Sequence, residues 1–150
     1  MKKAHLSFIA ISLLFCCCLP ADFHAGGAES DQLRLTKKPA EAEELFNSYP
    51  VDKQIDVYLF GLKYIEPDDN STQKFLVKDG DKKLPAIIQR IRSSEDEFDR
   101  AYLMEVASLI DKDCGCVTSD EKAELSEIGA SIKDGYHRGR FLRAFEELEK

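Results

Sequence analysis

From Pro39 onward the apolar residues recur three and four places apart and almost nowhere alternate. That spacing leaves a chain little choice but helices packed on one another. Ala42, Leu45, Phe46 and Tyr49 share one face behind Pro39, whose missing N–H a first helical turn tolerates. Pro50 ends that segment. Val51, Ile55, Tyr58, Leu59, Leu62 and Ile65 form a second stripe, stopped by Pro67. Asn70-Ser71-Thr72 is a cap for a short third helix through Phe75 and Leu76, ending at Asp79-Gly80. Leu84, Ile87, Ile88 and Ile91 follow, with Pro85 expected in the first turn. Ser94 with Glu97 three residues on reads as a capping box ahead of Phe98, Ala101, Tyr102, Val106, Leu109 and Ile110. Cys114-Gly115-Cys116 breaks that helix near Lys112. Thr118 with Glu121 is a second capping box, opening a helix with Leu125, Ile128 and Ile132 that Gly135 closes. Phe141, Leu142, Phe145 and Leu148 make the last stripe.

The pattern predicts an all-α domain over residues 39–150, with about seven helices joined by short turns. Its predicted core is Ile55, Leu59, Leu62, Ile88, Ile91, Phe98, Tyr102, Val106, Leu109, Ile128, Phe141 and Phe145. A chain of 150 residues is enough for one such domain. With 43% hydrophobic and 33% charged residues it is too apolar for a disordered chain and too charged for a membrane-embedded one. The net charge of -7 argues against nucleic acid as a partner, because phosphate binding needs a basic face.

The first residues have a different character. Lys2 and Lys3 precede an apolar run from Leu6 to Leu19, which Pro20 closes. The run falls short of the roughly 20 residues that a spanning helix needs. It predicts a secretory signal over residues 1–27 and a location in the periplasm, or on a membrane as a lipoprotein facing the periplasm or the cell surface. Leu14-Phe15-Cys16-Cys17 resembles the bacterial lipobox, with Cys17 as the lipidated residue, although Phe15 stands where a small residue is usual. Cleavage among Ala25, Gly26, Gly27 and Ala28 is the alternative. Either way the acidic character belongs to the mature domain, since residues 1–27 hold two lysines and one aspartate. Residues 28–38 read as a flexible leader, the tether to the membrane if Cys17 is lipidated.

Lys83 through Ile91, with Pro85 in that segment, a short turn, then Asp96 through Ile110, resembles a HEAT repeat. Asp96 or Asp99, with Arg100, stands where such repeats carry Asp and Arg at the opening of the second helix. The Leu84/Ile88/Ile91 ladder recurs as Leu125/Ile128/Ile132 about 41 residues later, near the period of that class. No Pro opens the later unit and no Asp-x-x-x-Arg follows it. The likeness covers residues 82–111 well and 51–150 loosely. It implies a short stack of antiparallel helical hairpins used as a binding surface, and no chemistry.

Three groups of residues are candidate sites. Cys114 and Cys116 are the only cysteines of the folded part, and three states are open to them: a local disulfide, free thiols, or metal ligation. Metal is the poorest fit, because the domain has one His, His137, and Asp111 and Asp113 are hard ligands that match thiolates badly. Lys133, His137, Arg138, Arg140 and Arg143 form the one basic cluster, a docking patch for an anionic partner or a solvated face with Arg143 paired to Glu147. Glu95, Asp96, Glu97 and Asp99 crowd the first turn of a helix, where the dipole favours them. Glu66, Asp68, Asp69 and Asn70 lack the alternation and Gly of a calcium loop. No nucleophile elbow, zinc-protease motif, phosphate loop or dinucleotide loop occurs, and no cofactor is expected. The expected function is therefore non-enzymatic binding of another protein in the cell envelope. The rivals are an immunity-type inhibitor, whose acidic surface would steer toward a basic toxin, and a redox role for Cys114 and Cys116.

Overall fold

The computed structural model describes residues 39–64 and 71–150, together with Gly27. Gly27 apart, the expected signal with Cys17, the leader, and the acidic loop at residues 66–70 lie outside them. Among the described residues there are seven helices and no strand, so the domain is all-α. They are α1 (Pro39–Asn47), α2 (Val51–Tyr64), α3 (Ser71–Val77), α4 (Gly80–Ser93), α5 (Glu97–Cys114), α6 (Ser119–Ser131) and α7 (Gly135–Leu148).

Several helix ends differ from the predicted ones, each for a local reason. Asp79 takes up the left-handed conformation, with φ 51°, and turns the chain sharply between α3 and α4. The helix then starts at once at Gly80, so Pro85 lies a full turn inside α4 rather than in its first turn. At the next junction Asp96, not Ser94, is the cap. Its carboxylate accepts from the Phe98 amide at 2.9 Å, while the Ser94 hydroxyl accepts from the Asp96 amide and donates to Asp99. The predicted Ser94–Glu97 box is not formed, because Glu97 is engaged elsewhere. The Thr118–Glu121 box is complete in both directions. Helix α5 runs through Cys114, past Lys112, and Gly115 ends it with φ 59°, a conformation glycine adopts at no steric cost. Gly135 opens α7 instead of closing α6, which stops at Ser131.

Helix α5 is the centre of the fold. It is buried nearly all round, from Ala101, Leu103 and Met104 to Val106, Ala107 and Ile110, and it packs most extensively on α4 and α7. Two glycines allow close approach. A Cβ on Gly80 would stand 2.4 Å from Ile110 Cγ1, and one on Gly129 would stand 2.8 Å from the Phe141 ring. Of the predicted core, Leu109 alone is exposed, at 44%. Leu62, Phe98, Tyr102 and Ile128 are partly buried against the cluster, and the others are buried. Leu109 shares its side of α5 with Phe98, Tyr102 and Glu105, a stripe that side chains of α2 and α7 cover only in part.

Polar side chains tie the helices together where apolar contact ends. Lys83 is buried, and its ammonium donates to the Phe75 carbonyl at 2.7 Å, capping α3 from α4. Burial holds that amine below its ordinary value. Asp56 on α2 pairs with Arg90 on α4, and Glu43 on α1 with Lys78 beyond α3. Arg92 on α4 reaches Glu124 on α6 at 2.7 Å. Lys63 on α2 binds Asp96 at 2.6 Å and Asp99 at 2.8 Å. Burial alone would raise the Asp96 carboxyl, but hydrogen bonds from Lys63 and the Phe98 amide outweigh it and hold the group low.

Candidate functional site

This half-covered stripe of α5 is rich in rings. Phe98 and Tyr102, one turn apart, stack with centroids 4.2 Å apart, and Glu105 and Leu109 continue the line. Helix α7 lies alongside. Its first turn sets His137 edge-on to Phe98 at 5.9 Å and exposes Tyr136 to solvent at 61%. One turn further, the Arg140 guanidinium lies over the Tyr102 ring at 3.9 Å. The same guanidinium donates to Glu105 at 2.7 Å and to the Tyr136 hydroxyl at 3.2 Å. Lys63 reaches over Phe98 from α2 at 5.1 Å. The buried Tyr58 phenol completes the group from below. Burial, and secondarily Glu105, pushes its pKa far above the ordinary tyrosine value.

Arg140 thus organises the patch. Cation–π contact, a charge-assisted bond and a phenol bond fix its planar head, so Tyr102 and Tyr136 are held in place before any partner arrives. The hydrogen bond from Arg140, and next that from Tyr102, holds the Tyr136 phenol below its ordinary value. Tyrosine and arginine are the side-chain types enriched among residues that carry binding energy in protein contacts.

The predicted basic cluster is not one patch. Arg140 is consumed by Glu105 and Tyr102, and His137 is half-buried beside Phe98, 3.1 Å from Asp134. Lys133, Arg138 and Arg143 are exposed. Arg138 and Arg140 are two positions apart, with only Gly139 between them, which places them about 200° apart around the helix. Glu147 pairs with Lys150, three residues on, rather than with Arg143. The acidic first turn of α5 also finds partners: Lys63 takes Asp96 and Asp99. Glu97 accepts from the Lys133 amide at 2.7 Å and the Asp134 amide at 2.9 Å, fastening the α6–α7 connector to α5.

Cys114 and Cys116 form a disulfide, with Cα atoms 5.2 Å apart, on an exposed turn. Cys114 also borders an open recess of about 460 Å³ that Val77, Gly80, Ile110 and Asp113 help to wall. Among the described residues no group of three or more metal-ligating side chains is present, and no helix is long and apolar enough to cross a membrane.

Sequence reasoning placed Tyr102 in the core and left Tyr58, Glu105 and Tyr136 outside any site. The available signal was the aromatic spacing Phe98–Tyr102 together with Tyr136 and Arg140 four apart, a pair one turn apart on α7. Comparison with family models, with curated proteins and with solved structures finds no match.

Proposed function

We propose that this chain is an exported, non-enzymatic helical protein of the cell envelope, built as a short HEAT-like stack of hairpins, that binds another protein through the Phe98–Tyr102–Arg140–Tyr136 surface. The observation that carries the binding reading is Arg140, which holds two tyrosines in fixed orientation beside the exposed Leu109. Preorganised rings lose little entropy on docking.

Contacts between helices support the stacked arrangement. Gly80 at the start of α4 meets Ile110 near the end of α5, which fits an antiparallel pair. Lys122 at the start of α6 donates to the Leu148 carbonyl at the end of α7, which fits a second. Phe98 beside His137 and Glu105 beside Arg140 fit α5 and α7 running the same way, as equivalent helices of successive hairpins do. Lys2, Lys3 and the run from Leu6 to Leu19 support export, and Cys17 is the candidate for a lipid anchor.

The test is affinity capture from an envelope extract with the wild-type chain and with Leu109→Asp, Tyr136→Asp, checked for helix content by circular dichroism. A protein held at stoichiometric amounts by the wild type and lost by the double variant is the expected result. The same proteins retained by both would overturn the surface. Intact mass of the chain from its native host tests export, with a product lacking Met1 expected.

A further inference from the structure

We propose that the Cys114–Cys116 disulfide is a thiol–disulfide exchange site for polypeptides that carry two cysteine thiols, and that Cys114 is the sulfur attacked. This does not rest on the aromatic surface of α5 and α7.

Two observations converge. The first is how the turn is held. The Gly115 amide donates to the Asp111 carbonyl at 2.6 Å, and the Val117 amide donates to the Asp111 carboxylate, also at 2.6 Å. Val117 is buried and Lys122 approaches the same carboxylate at 3.8 Å. The turn is therefore anchored on Asp111 from both sides, and the disulfide spans only one intervening residue. Opening the bond frees almost no chain. The two sulfurs stay close in the reduced protein, so the bond can break and re-form without unfolding.

The second is the asymmetry of the surroundings. Both cysteines are exposed, but Cys114 also borders the recess, where a segment of extended chain can lie against Val77 and Ile110. Cys114 ends α5, where the last carbonyls disfavour negative charge. Cys116 lies beyond that helix end, two residues before the Thr118 cap of α6. The better leaving thiolate is Cys116, and the sulfur open to a docked partner is Cys114. Both choices agree.

The exchange balances as follows. A partner thiolate attacks Cys114 Sγ, the Sγ–Sγ bond breaks, and its electron pair leaves on Cys116. The second partner thiolate then attacks the partner's own sulfur in the mixed disulfide and releases Cys114 as a thiolate. The partner loses two electrons and becomes a disulfide. Cys114 and Cys116 gain them and take up the two protons the partner thiols gave.

The test uses the full chain in its oxidised form. The probe is a 12-residue synthetic peptide with two cysteines, and a single-cysteine version with serine in place of the second. After quenching with iodoacetamide, tandem mass spectrometry of the tryptic fragment 113–122 reads the state of each sulfur. The two-cysteine peptide should become oxidised while Cys114 and Cys116 become alkylated. The single-cysteine peptide should be trapped on Cys114, with the alkyl group on Cys116. Val77→Trp, which fills the recess, should slow the peptide reaction about tenfold and leave reduction by dithiothreitol unchanged. A lasting adduct mainly on Cys116 would overturn the assignment. So would equal rates with an isolated peptide of residues 111–118, or a Val77→Trp variant as fast as the wild type.

Discussion

Gly80 and Ile110 touch so closely that a Cβ on the glycine would lie within 3 Å of three atoms of the isoleucine, the nearest at 2.4 Å. The isoleucine is branched, buried and part of the central helix, so its side chain must be displaced from the core to make room. Gly80→Ala gains helix propensity of up to about 1 kcal/mol, but overpacking costs about 1–3 kcal/mol, and here the second effect wins. The variant should unfold at lower urea than the wild type. Gly139→Ala on α7, where nothing stands within 4 Å, should unfold at higher urea.

Lys83→Met should destabilise the domain by about 1–2 kcal/mol. Methionine keeps the apolar stem but leaves the Phe75 carbonyl without its donor. Chemical denaturation measures the loss. A fully stable Lys83→Met protein would show that water replaces the ammonium at no cost.

Glu97 predicts an acid-sensitive joint. The amides of Lys133 and Asp134 hold its carboxyl below the ordinary value of 4.5. The folded state therefore takes up this proton less readily than the unfolded chain. Its contribution is complete above pH 4.5 and is lost as the pH falls through the lower folded value. In Glu97→Gln the urea midpoint should fall less steeply between pH 5 and 3 than in the wild type, and be lower than the wild type's at pH 7.

Replacing both Cys114 and Cys116 by serine should change the unfolding free energy by less than about 1 kcal/mol, because the closed loop is minimal and Asp111 already holds the turn. A loss of several kcal/mol would show that the bond, not Asp111, anchors the connection.

Helix content, the Thr118–Glu121 box and most of the core were legible in the sequence, because each depends on residues within a turn or two of one another. Leu109 was misplaced for a physical reason. A helix buried on almost every side has apolar residues all round, so spacing cannot tell which stripe faces water. Asp96 displaced Ser94 as a cap because Glu97 bonds amides 36 and 37 residues away, a partnership with no local signal. Arg140 was read as a surface charge for the same reason: Glu105 and Tyr102 lie on another helix, which only the fold brings beside it.

The central position of α5 bears on how the domain comes apart. Glu97 fastens its first turn to the connector before α7, Ile110 presses on the start of α4, and Asp111 anchors the approach to α6. No neighbouring helix can leave without exposing part of α5. Its interior amides, from Ala101 to Ile110, should therefore exchange with deuterium only through global opening. Amides of α1, attached through Phe46 and the Glu43–Lys78 pair, should exchange through a smaller, earlier opening.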